Sequence, residues 1–190
     1  MKNYGFAFLA ALAPLLSTPA AAQFIELGGH ASYTEASGAD GSWAGGAQMR
    51  IRFLGPLGAE GLIDYKRTTY SFAGVDTLRV EQYPVQASLM LWLFPKEWSF
   101  QIYALGGGGW YYTRSTALGP ESAVGTSTTN RFGGHAGGGI EILAGGHVAF
   151  YGDVRWVWLD VDSINAIRDR YDNNPKSDFL HVTAGISYRF

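Results

Sequence analysis

The sequence predicts an all-β fold: a closed eight-stranded antiparallel up-and-down β-barrel that crosses a membrane with its strands. Three observations carry that prediction. Apolar and polar residues alternate with period two in eight successive segments, the mark of strands with two unlike faces. The connections between segments are short and long in turn, as in a meander that closes on itself. Aromatic residues make up 15% of the chain and glycine takes 26 positions, yet no segment after residue 22 is a continuous apolar run of membrane-helix length. A backbone that enters hydrocarbon without such a helix must close into a barrel, because an open edge leaves N–H and C=O groups unpaired.

Residues 1–22 read as a cleaved signal peptide. Lys2 starts the segment, Phe6 to Leu16 is almost wholly apolar, and Ala20-Ala21-Ala22 supplies the small-residue pattern for cleavage before Gln23. An N-terminal membrane anchor is the alternative, but the run is shorter than a span and is broken by Pro14 and Pro19. Of the 190 residues, 168 then remain (190 − 22), which suits one domain, 23–190. Without Lys2 there are 13 basic side chains against 16 acidic ones, a formal charge of −3. No basic cluster is present to neutralise phosphates, so no nucleic-acid partner is expected. The chain has no cysteine, which removes disulfide and thiol chemistry.

The segments follow in order. Gln23 to Thr34 places Ile25, Leu27, Ala31 and Tyr33 opposite Glu26, His30 and Ser32. Ser42 to Phe53 alternates Trp43, Met49, Ile51 and Phe53 with Gln48, Arg50 and Arg52. Gly58 to Thr68 sets Ile63 and Tyr65 against Glu60, Asp64 and Lys66. Val80 to Phe94 carries Tyr83, Val85, Leu89 and Leu91 opposite Gln82, Gln86 and Ser88. Trp98 to Thr113 sets Phe100, Ile102, Trp110 and Tyr112 against Gln101, Tyr103 and Tyr111. Asn130 to Leu143 places Phe132, Ile140 and Ile142 opposite His135 and Glu141. His147 to Leu159 has Phe150, Val154, Trp156 and Trp158 against Tyr151, Asp153 and Arg155. Ser177 to Phe190 alternates Val182, Ala184, Ile186, Tyr188 and Phe190 with His181, Thr183, Ser187 and Arg189.

Residues 54–57, 94–97 and 144–146 are the short turns, whereas 35–41, 69–79, 114–129 and 160–176 are longer and polar. Outer-membrane barrels have this asymmetry, with turns periplasmic and loops outside. A soluble lipocalin-like barrel would also alternate, with its apolar face inward. The placement of aromatics separates the two. Tyr33, Trp43, Tyr65, Tyr83, Trp110, Tyr112, Phe132, Trp156 and Trp158 fall near the loop end of the apolar face, and Phe53, Phe100, Phe150, Tyr188 and Phe190 near the turn end. Two aromatic girdles around an aliphatic band are what a membrane interface selects. The apolar face is therefore expected to meet lipid.

These features resemble the small outer-membrane β-barrel proteins of the OmpA-like and opacity-protein type, over the whole mature chain. The ending Val182-x-Ala184-x-Ile186-x-Tyr188-x-Phe190 is similar to that family's assembly signal, so the resemblance implies recognition of Tyr188 and Phe190 by the barrel-assembly machinery. It also implies outer-membrane lipid and lipopolysaccharide as surroundings. The peptidoglycan-binding domain of longer OmpA proteins is not part of this sequence.

An eight-stranded barrel is just wide enough inside for side chains to fill it. The inward set includes charges of both signs: Glu26, Arg50, Arg52, Glu60, Asp64, Lys66, Glu141, Asp153, Arg155 and Arg189. Buried charges persist only when paired, so a lumenal ion-pair network is expected. Closing the first turn with Phe53 opposite Ala59 would pair Arg52 with Glu60 and Gln48 with Asp64, and barrel closure would bring Arg189 to Glu26.

Other patterns are weaker. His30, His135 and His181 share the inward parity, and His30 and His181 lie on strands that close the barrel. No metal-ligand spacing accompanies them, so hydrogen-bonded lumen residues are expected rather than a metal or cofactor site. His30-x-Ser32 is superficially similar to the His and Ser of lipid A deacylases, but there the pair faces lipid. Gly106 to Gly109 and Gly137 to Gly139 lie inside strands and make room for bulky neighbours such as Trp92 and Tyr103; they are not phosphate loops. Asp160-x-Asp162 and Asp169 to Asp172 read as solvated loop carboxylates without calcium-loop spacing. The leading expectation is a structural or surface-interaction barrel acting through its loops, without catalysis. A narrow channel or OmpW-like passage is the alternative, and a lipid A-modifying enzyme the third.

Overall fold

The structure, a computed structural model, describes residues 24–36, 41–72, 75–117, 126–159 and 178–190. Residues 1–22, expected to be a signal peptide, Gln23, and the aspartates at 160, 162, 169 and 172 lie outside the described residues. The strands are β1 (Phe24–Ala36), β2 (Ser42–Leu54), β3 (Leu57–Phe72), β4 (Val75–Trp92), β5 (Phe100–Ala117), β6 (Ser127–Ala144), β7 (Val148–Leu159) and β8 (Asp178–Arg189). Each pairs antiparallel with its neighbours in sequence, and β8 returns to β1, so the sheet is a closed barrel. Closure removes both edges, which satisfies the backbone without help from solvent.

Period-two alternation fixes which side chain points where. Along β7, Phe150, Val154, Trp156 and Trp158 are exposed on the outer wall while Tyr151, Asp153, Arg155 and Val157 are buried inside. The same division holds at Leu89, 71% exposed, and Ser88, 4% exposed. The outer wall carries the aromatics in rows. Tyr65, Tyr83 and Tyr112 touch in series at the loop end, with centroids 5.2 and 5.9 Å apart, and Tyr33 lies 5.2 Å from Trp43. At the turn end Phe94 stacks on Trp98 at 5.0 Å, and Tyr188 meets Phe190 at 4.9 Å.

The β2–β3 hairpin departs from the expected register. Leu54 pairs with Leu57 around a two-residue Gly55-Pro56 turn, and the register shifts between Arg52 and Leu54. Gly55 has φ +53°, a conformation that suits glycine there. Ile51 therefore meets Ala59, Arg50 meets Glu60 and Gly46 meets Asp64. The expected pairs Arg52 with Glu60 and Gln48 with Asp64 do not form. Because the difference is two residues, every side chain stays on its expected face.

The strands also run further than expected at the loop end. Pairing in β3 and β4 continues to Phe72 and Val75, and β5 with β6 reaches Ser115 opposite Ser127. The predicted loops 69–79 and 114–129 are thus partly strand. Beyond the lipid both faces meet water, so the alternation that marks a strand in the sequence fades there although the ladder continues. At the turn end, residues 93–99 form an irregular connection, so Trp98 precedes β5 rather than belonging to it. The third turn uses Gly145 and Gly146 at φ +67° and +85°.

Candidate functional site

Charged side chains from six strands converge in the interior. Glu26 (β1), Arg50 (β2), Glu60 (β3), Glu141 (β6), Asp153 and Arg155 (β7) and Arg189 (β8) are all buried. Arg50 sits at the centre. Its Nε donates to Glu60 Oε2 at 2.9 Å, its Nη1 to Glu141 Oε2 at 3.3 Å and its Nη2 to Tyr103 Oη at 3.0 Å. Asp153 Oδ2 lies 3.5 Å from the same Nη2. The Tyr151 ring covers the guanidinium, 4.2 Å from centroid to Cζ.

Arg155 extends the cluster, reaching Asp153 Oδ1 at 2.7 Å and Glu60 Oε1 at 2.8 Å. Arg189 extends it towards the turn end, reaching Glu26 Oε1 at 2.7 Å and Glu141 Oε1 at 2.6 Å. The result is one continuous chain of ion pairs across the lumen: Glu26, Arg189, Glu141, Arg50, then Glu60 and Asp153 shared with Arg155. Charges taken out of water this completely are tolerable only with such pairing.

Three residues of the expected network lie apart from it: Asp64, which pairs with His30 and His181 nearer the loop end, Arg52 and Lys66. Arg52 donates to the Gly55 carbonyl at 2.5 Å and the Phe94 carbonyl at 3.1 Å, and stacks over Trp92 at 5.2 Å. It clamps the turns and pairs with no carboxylate among the described residues, because the register leaves Gly58 opposite it. Lys66 lies nearer the loop end, half-buried at the wall of a cavity, and makes no ion pair among the described residues. Lys66→Ala is therefore expected to change stability by less than about 0.5 kcal/mol. Thermal unfolding of the detergent-solubilised barrel checks this.

Below the charged layer is an apolar plug that includes Trp92 and Tyr103, the bulky residues for which strand glycines are expected to make room. Phe24, Met90, Trp92, Tyr103 and Leu105 form a buried cluster, with Trp92 6.0 Å from Phe24 and 6.2 Å from Tyr103. Their inward parity was available, since Met90 and Trp92 continue the face of Gln86 and Ser88. Glycine makes the room: a Cβ on Gly58 would lie 2.6 Å from the Trp92 ring, and one on Gly139 2.6 Å from Tyr103 Oη.

Above the network, towards the loops, Asp64 gathers three partners. His30 Nε2 and Ser32 Oγ each lie 2.9 Å from Asp64 Oδ1, and His181 Nε2 is 3.7 Å from Oδ2. His30 and Ser32 thus both turn to Asp64 inside the barrel and do not form a base–nucleophile pair. His135 stands apart, 2.8 Å from Ser88 Oγ. No group of three or more His, Cys, Asp or Glu side chains among the described residues is arranged to hold a metal.

Over Asp64 and His181 opens a cavity of about 420 Å³, lined also by Lys66, Gln86, Tyr111 and Phe179. On the outer wall, Trp43, Trp110, Trp156, Trp158 and Tyr188 are exposed in the two girdles, with Tyr112 in ring contact with Tyr83. Tyr188 and the terminal Phe190 also face outward.

Comparison with known proteins gives the same architecture. The family model described as outer membrane protein beta-barrel domain matches residues 8–190. No curated protein matches the chain. Among solved structures, OprG from Pseudomonas aeruginosa is similar at a TM-score of 0.61, with 15% identity, 90% of this chain and 96% of that one covered. A major outer membrane protein from Thermus thermophilus is similar at 0.62, with 13% identity over 87% of this chain and 99% of that one. Ail of Yersinia pestis, in complex with the heparin analogue sucrose octasulfate, is similar at 0.56, with 13% identity over 88% and 97%. No helix among the described residues is long and apolar enough to cross a membrane. The chain belongs to the outer membrane protein beta-barrel domain family.

Proposed function

We propose that the mature chain, beginning at Gln23 after loss of the signal segment, is a non-conducting outer-membrane barrel that meets ligands with its loop end and catalyses no reaction. The observation that carries this reading is the filled lumen: the Arg50 ion-pair layer lies directly on the Trp92 plug, and Arg50, Glu26, Glu141 and Arg155 are each 0% exposed. Ions would have to break paired, desolvated charges to pass. Lipid and lipopolysaccharide surround the girdles, and the barrel-assembly machinery reads Tyr188 and Phe190. A similar barrel, Ail, is known with a heparin analogue bound, which fits a role in surface recognition. Purified protein in planar bilayers is expected to give no reproducible single-channel steps. Regular steps would replace this reading with a narrow channel.

One observation favours a passage for small apolar molecules as the second reading. The β3–β4 ladder lapses where Asp64 and Tyr65 face Tyr83 and Pro84, and Pro84 has no N–H to donate. Gln86 beside it lines both the loop-end cavity and an apolar depression on the outer wall. Faster uptake of a small apolar tracer by cells expressing the protein would support that reading.

A further inference from the structure

We infer that the cavity above Asp64 is a binding site for a saccharide unit, a ring carrying several hydroxyl groups. This rests on the reading that the loop end faces outward. Two buried polar atoms of its lining, Gln86 Nε2 and Tyr111 Oη, have no hydrogen-bond partner, and two more, Asp64 Oδ2 and His181 Nε2, make no hydrogen bond but face each other at 3.7 Å. Each of the four residues exposes no more than 9% of its surface. Buried polar groups are nearly always paired, and an orphan weakens the fold. Two of them around one opening, beside an ion pair too long to be a hydrogen bond, point to a partner that is not part of the chain.

Their chemistry selects the guest. Asp64 Oδ2 only accepts, Gln86 Nε2 only donates, Tyr111 Oη does either, and His181 Nε2 does either according to its tautomer. The guest must therefore both donate and accept within a few ångströms, as vicinal hydroxyls do. An apolar guest would leave Gln86 Nε2 and Tyr111 Oη unpaired. A phosphate or sulfate would meet Lys66 and Arg131, which also line the cavity, but beside the unpaired atoms it would face the Asp64 carboxylate. A metal ion would lack ligands, since the described residues hold no group of three. Tyr111 and Phe179 stand edge to face, 6.0 Å apart at 88°, and offer an aromatic wall to the C–H face of a sugar ring.

The mature protein in lipid nanodiscs, mixed with methyl glycosides of glucose, galactose and glucuronic acid, tests this by saturation-transfer NMR, with cyclohexanol as the single-hydroxyl control. At least one glycoside is expected to receive more transfer than cyclohexanol. Tyr111→Phe keeps the ring and removes a hydroxyl that the fold does not use. It is expected to weaken glycoside binding about fivefold while the unheated protein still runs as the compact species on a gel. Trp43→Phe, on the outer wall, is expected to leave binding unchanged. Displacement of the glycoside when lipopolysaccharide is added to the nanodisc would make a neighbouring lipid's sugars the source, and no displacement a soluble saccharide. Transfer no stronger than to cyclohexanol, or equal affinity in Tyr111→Phe, would overturn the inference and leave a cavity that holds water only. The conductance experiment is independent of either result, so the two readings fail separately.

Discussion

Arg50→Ala is expected to lower the stability of the barrel by about 3–5 kcal/mol, the range for removing one partner of a buried ion pair. The upper part of that range applies, because Arg50 contacts three carboxylates, Glu60 at 2.9 Å, Glu141 at 3.3 Å and Asp153 at 3.5 Å. The layer has three guanidiniums, Arg50, Arg155 and Arg189, facing four carboxyl groups, Glu26, Glu60, Glu141 and Asp153. Removing Arg50 leaves two against four in a place water does not reach. The opposite change should cost less. Glu141→Gln brings the layer to three against three but replaces one of the two oxygens that accept from Arg50 and Arg189 by an NH2 that only donates, so a loss of about 1–3 kcal/mol is expected. Urea unfolding in detergent micelles, followed by tryptophan fluorescence, measures both. Equal effects from the two substitutions would mean that charge balance does not govern this layer.

The facing of each strand was legible in the sequence because a period of two leaves only two choices, and the wrong one exposes Arg50 and Arg155 to lipid. The partner of each residue was not. Pairing Glu60 with Arg50 or with Arg52 satisfies alternation equally well, since the two arginines share a face. The shift between Arg52 and Leu54 decides between them: continued unchanged, the Leu54–Leu57 pairing would set Glu60 opposite Ile51, and the irregularity in β2 brings Arg50 there instead. Strand ends were hidden for a related reason. Thr69 and Arg114 sit in regular ladders, opposite Arg79 and Thr128, but carry no apolar alternation because both their faces meet water. The aggregate at Asp64 joins β1, β3 and β8, and only closure of the barrel brings His181 to it. The inward parity of Met90 and Trp92 could be read directly, but which apolar side chains meet across the lumen depends on the register.

Val154→Arg tests the orientation on which all of this depends. Val154 and Arg155 are adjacent in β7, but the first is 46% exposed on the outer wall and the second 0% exposed in the lumen. Val154 lies between Phe150 of the turn-end girdle and Trp156 of the loop-end girdle, near the middle of the hydrocarbon. An arginine there has no carboxylate within reach and must draw water or headgroups towards itself, at a cost of about 2–4 kcal/mol at the bilayer midplane. The same substitution at Trp158, closer to the loop end, should cost roughly 0–1 kcal/mol from the charge, since headgroups lie near. Reversible unfolding from liposomes measures the difference, and detergent would blunt it. A soluble barrel with solvent around its apolar wall would show no gradient between the two positions. A gradient with depth is therefore the signature of lipid against this face, and it ties the pairing of charges inside to the absence of water outside.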